Sequence, residues 1–83
     1  MSTPFLVRFA ESLVGRLLAA GLLELRPGAA VDVVSFLAER LAEAPSGSSL
    51  LSTVEKALLA CPDVIELYAD LDTLKAEVEA LRA

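Results

Sequence analysis

Histidine is absent from this chain, and cysteine occurs once. Without histidine there is no ordinary general base near neutral pH, no Ser-His-Asp triad and none of the commonest metal ligand. A single cysteine excludes an intrachain disulfide and any zinc site built on several cysteines of one chain. Tryptophan is also missing, and tyrosine occurs once. Glycine is scarce, and Gly28 and Gly47 stand alone in turn-like surroundings. No phosphate-cradling loop and no Walker or dinucleotide fingerprint can be traced. The longest strongly apolar stretch, Leu17 to Leu23, is far below the ~18–20 residues of a membrane-spanning helix. The first cation is Arg8, so the basic start of a signal peptide is missing. The expectation is a cytoplasmic protein without catalytic residues, cofactor or metal, and not an enzyme.

Positive charge is short as well. The net charge is −5, and it is unevenly spread. Residues 1–27 carry Arg8, Arg16 and Arg26 against Glu11 and Glu24, while acidic residues dominate after Pro27. Duplex nucleic acid calls for a basic stripe that neutralises phosphates, and none is present. The nearest approach to a carboxylate cluster is Asp70 and Asp72 with Glu66. It lacks the glycine of a calcium-binding loop and lies in a helical pattern. Neither nucleic acid nor a membrane is expected as a partner.

What the chain has in excess is aliphatic. Apolar residues make up 55%, against roughly 45–50% in ordinary soluble proteins. An 83-residue chain forms one domain, and such a domain buries only about 60–65% of its unfolded surface. More apolar surface than one small core can absorb points to a second covered surface. Self-association is the simplest means of covering it.

The apolar residues fall into helical stripes. Thr3-Pro4 suits an N-cap and first helical position, and Leu6, Phe9, Leu13, Leu17 and Ala20 follow at helical spacing over 4–20. Arg8, Glu11, Ser12, Gly15 and Arg16 share its polar face. Residues 22–26 form a last turn or a short separate one, ended by Arg26-Pro27-Gly28. A second helix spans 29–43 through Val33, Val34, Leu37 and Leu41, with Asp32 favouring its start. Pro45-Ser46-Gly47-Ser48-Ser49 is a loop. A third helix spans 49–60, stopped by Cys61-Pro62, with Cys61 a small buried hydrophobe. Asp63, with Glu66 three residues on, resembles a capping box opening a fourth helix over 64–81. The expected fold is a small all-α four-helix bundle, a single domain over 1–83, with no strand.

The fourth helix carries the densest pattern. Val64, Leu67, Leu71, Leu74, Val78 and Leu81 are spaced 3, 4, 3, 4, 3. β-branched residues at two of three a positions and Leu at every d favour a parallel two-stranded coiled coil. Asp70 and Glu77 fall at g, and Lys75 and Arg82 at the following e, so Asp70–Lys75 and Glu77–Arg82 would pair across the seam. Tyr68 would pack at its edge. The same stripe would also serve as the core-facing side of a helix within one subunit.

Function follows from architecture rather than chemistry. The expectation is a non-catalytic, homo-oligomerising protein–protein interaction module, an adaptor or scaffold component that needs no cofactor. The alternative is a regulatory or structural small subunit, such as an antitoxin or accessory subunit, whose apolar face is covered by a larger, different protein.

Overall fold

The first helix is the spine of the molecule. Leu6, Ala10, Leu13, Val14 and Leu17 recur at helical spacing and are all essentially sealed from water. The computed structural model describes residues 3–82, with the side chains of Thr3 and Arg82 left aside. The expected Thr3 cap therefore lies outside the described residues. Helix α1 (Thr3–Ala19) is followed by strand β1 (Leu23–Leu25), helices α2 (Ala30–Glu43) and α3 (Leu50–Ala60), strand β2 (Val64–Leu67) and helix α4 (Leu71–Arg82). Helix α1 packs against α2, α4 and β1, and α3 against α2, α4 and β2.

The ends of these elements have local causes. Gly21, at φ 73°, closes α1. Its N–H donates to Leu18 O at 3.1 Å, and the Leu22 N–H donates to Leu17 O at 2.8 Å. That is a Schellman cap, which needs a left-handed residue where Gly21 stands. Pro27 and Gly28 (φ 76°) occupy the centre of a turn closed by Ala29 N–H donating to Arg26 O at 3.1 Å. Proline supplies the first central conformation of a type II turn and glycine the second. Ser49 caps α3 by accepting the Ser52 N–H on its Oγ at 3.2 Å.

Helices dominate, as the apolar periodicities indicate, but the fold is not a pure four-helix bundle. Two expectations are corrected. Residues 22–26 are not an extra helical turn, since Leu23–Leu25 form β1. The helix expected over 64–81 is divided, with Val64–Leu67 forming β2 and only Leu71–Arg82 helical. The two strands pair antiparallel, Leu23 opposite Leu67, Glu24 opposite Glu66 and Leu25 opposite Val64. Asp63 and Glu66 accordingly form no capping box. The residue that starts α4 is Asp70, whose Oδ1 accepts the Thr73 N–H at 2.8 Å.

The register contains a bulge, because one step along β1 leads from Glu24 to Leu25 while two steps along β2 separate their partners Glu66 and Val64. Ile65 is the extra residue, and it is 54% exposed. In a regular strand, residues three apart point to opposite faces. The bulge inserts one residue and lets both Val64 and Leu67 pack against the core. A spacing of three, the a-to-d step of a heptad, is thereby satisfied by a bulged strand.

The core is entirely apolar. Val33, Leu37 and Leu41 of α2, Val54 and Leu58 of α3 and Leu74 and Val78 of α4 close on the α1 stripe. Among the described residues none that is polar or charged is buried. Cys61 caps α3 as a buried free thiol.

These burials give an expected mutational contrast. Leu74 is 0% exposed and Leu71 is 46% exposed. Leu74→Ala should lower unfolding free energy by about 2–5 kcal/mol. Leu71→Ala should change it by no more than about 0.5 kcal/mol. Urea denaturation of the two variants followed by circular dichroism checks the difference.

Candidate functional site

The six residues expected to form an intersubunit seam do not lie on one helix. Leu74 and Val78 are buried in the chain's own core, while Val64 and Leu67 belong to β2 and are half-buried against it. Leu71 is exposed at the first turn of α4, and Leu81 is half-buried at its end. A continuous coiled-coil seam needs helix from 64 to 81, and helix begins only at Leu71, after the strand Val64–Leu67.

The charged residues flanking that pattern are also placed within the chain. Asp70 is the cap of α4. The Thr73 N–H, aided by the Thr73 side chain, holds the Asp70 carboxyl below its ordinary value. Glu77 accepts from Arg16 Nε at 2.8 Å and so ties α4 to α1. Lys75 is exposed. The side chain of Arg82, expected to meet Glu77, lies outside the described residues.

Apolar surface left over from the core gathers in two grooves. One runs between α1 and α2 and encloses about 460 Å³. Val7, Val14, Leu18, Val31 and Val34 line it, with Glu11 as its charged residue and Gly15 in its wall. Leu18 is 38% and Val31 75% exposed. A methyl group placed on Gly15 would meet nothing within 4 Å. The other groove, about 660 Å³, lies where the first half of α1 meets the start of α3 and the end of α4. It is lined by Phe5, Leu6, Phe9, Leu50 and Leu81, with Arg8 and Ser12 as the polar members.

The outer face of the sheet differs in character. Glu24 and Glu66 are exposed and directly opposed, an arrangement that costs rather than contributes stability. Tyr68 Oη donates to Glu24 Oε1 at 3.0 Å. That hydrogen bond, then the Glu24 charge and lastly that of Glu66, raise the Tyr68 phenol above its ordinary value. Tyr68, expected at a coiled-coil edge, instead stands at the end of β2 with its hydroxyl on β1. On α2, the Arg40 guanidinium lies 4.7 Å from the Phe36 ring centre, a cation–π contact within one helix.

Among the described residues no three His, Cys, Asp or Glu side chains are grouped to hold a metal ion. Among the described residues no helix is long and apolar enough to cross a membrane.

Sequence reasoning passed over the most exposed apolar residues. Phe5, Val31, Leu59 and Ile65 are all more than half exposed, and none falls on the stripes that define the core. Their signal is subtractive: they are the large apolar residues left when each helical stripe has been removed. No protein-family model, curated protein or solved structure matches this chain.

The Asp70 cap sets an expected pH dependence. Its folded-state carboxyl titrates below the ordinary 3.8, so its stabilisation is present above that value and lost as pH falls through the folded value. Asn caps a helix without this ionisation. The difference in melting temperature between the native chain and Asp70→Asn should therefore change mainly below about pH 4. Thermal melts at a series of acidic pH values test it, and a difference constant throughout that range would contradict it.

Proposed function

We propose that this chain is a non-catalytic protein–protein interaction module that associates with a copy of itself, as an adaptor or scaffold component. The observation that carries the proposal is the α1–α2 groove, where Leu18 and Val31 stand exposed beside a core that is already closed. Covering apolar area contributes roughly 25 cal/mol per Å², and among the described residues no other element covers these side chains.

The groove is suited to a second copy because it offers both a projection and a recess. Val31 projects at the start of α2, 75% exposed. Gly15 leaves open space on α1, although glycine inside a helix is less stable than alanine by about 0.5–1 kcal/mol. A two-fold contact brings each copy's Val31 toward the other's Gly15, in the self-complementary manner of an isologous interface. The seam is thus assigned to α1 and α2 instead of a coiled coil. A cytoplasmic location belongs to the same proposal, supported by a lone cysteine held as a buried thiol, which suits a reducing compartment.

Sedimentation at micromolar concentration should give twice the mass of one chain. Gly15→Leu fills the recess and Val31→Glu sets a carboxylate in the contact. Each should yield a monomer with unchanged helix content, because neither side chain reaches the core. A monomeric native chain across the micromolar range would refute the proposal. Aggregation of the chain alone, relieved by a larger partner, would identify it instead as a small subunit of another protein.

A further inference from the structure

We propose that the second groove, between α1, α3 and α4, receives an amphipathic helix of a different protein, one that carries an acidic residue beside its apolar stripe. The groove holds two of the chain's three phenylalanines, Phe5 and Phe9, one turn apart on α1. Phe5 is 56% exposed. Between them stands Arg8, exposed and without a carboxylate partner among the described residues. Aromatic side chains and arginine are the residues most enriched where protein interfaces concentrate their energy.

Charge decides what fills it. The chain is acidic as a whole, yet among the described residues this groove is lined by Arg8 and by no carboxylate. A second copy placed symmetrically on it would set Arg8 against a surface with no anion, and near the axis against another Arg8. Nor has a second copy a helix to lend. The stripes of α2, α3 and α4 are each committed to the chain's own core through Leu37, Leu58 and Leu74. A foreign helix with an apolar stripe and a flanking Asp or Glu matches both the walls and the charge.

The open form of the groove separates this occupant from a fatty acid, whose carboxylate would also meet Arg8. Small-molecule sites enclose about 70–90% of their ligand, whereas the wall at Phe5 stands more than half in solvent. A helix brings its own polar face to cover that opening.

The test uses the full chain and a displayed library of amphipathic helical peptides with a fixed leucine stripe and randomised flanking positions. Selection should enrich Asp or Glu beside the stripe. Arg8→Glu, at an exposed position, should shift enrichment to Lys or Arg while circular dichroism stays unchanged. Phe5→Ala should weaken a selected acidic peptide roughly tenfold or more, the equivalent of one hot-spot side chain.

Gly15→Leu should bind that peptide as the native chain does, so failure of self-association and failure of this proposal remain distinguishable. Three results would overturn it: peptides enriched without acidic residues, selected peptides whose binding ignores Arg8→Glu and Phe5→Ala, or no enrichment above background. Displacement of a selected peptide by laurate at equal concentration would also overturn it, since the groove would then be a fatty-acid site. So would conversion of a native dimer to monomer by Arg8→Glu, which would make the groove a contact between copies.

Discussion

The pairing of β1 with β2 is the constraint on which the rest of the arrangement depends. Arg26 N–H donates to Asp63 O at 3.0 Å, and Tyr68 N–H to Leu22 O at 2.8 Å, so the two inter-helix connections are clamped at both ends. An isolated two-stranded sheet is barely stable in water. This one persists because Leu23, Leu25, Val64 and Leu67 turn one face onto the helical core. In return, the clamp determines where α1 must end and where α4 can begin. The Schellman turn at Gly21 and the Asp70 cap are the local devices that meet those two limits.

With α4 shortened to Leu71–Arg82, its apolar side serves the chain itself. Leu74 and Val78 enter the core, and Glu77 reaches across to Arg16 on α1. An exposed ion pair of this kind contributes only about 0.2–1 kcal/mol. Its larger consequence is orientational, since it holds α4 beside α1.

Much of the fold was legible in the residues. Pro27-Gly28, the Pro45–Ser49 loop and Pro62 mark real breaks, and the stripes on α1, α2 and α3 correspond to buried faces. Three to four residues are too few for a period of two to be told from a helical period, which hid β1. At β2 the bulge was decisive, because Ile65 let Val64 and Leu67 share a face at a spacing of three. The adjacent β-branched pair Val64-Ile65 is the local sign that favours a strand there. The candidate site was less legible. Arg16 and Glu77 lie 61 residues apart, so no local spacing could join them, and the grooves exist only through the packing of distant helices.

The two grooves use different sides of α1 and differ in charge, which bears on the proposed adaptor role. The α1–α2 side contains Glu11, and the α1–α3–α4 side contains Arg8. Residues three apart on a helix are near neighbours, but here each side chain serves a separate groove. An interaction module needs surfaces that do not compete, and opposite local charge keeps a partner suited to one from settling on the other. The core requires only the inward stripe of α1. Its remaining circumference lines both grooves, and the apolar excess in the composition of this 83-residue chain is the material from which their walls are made.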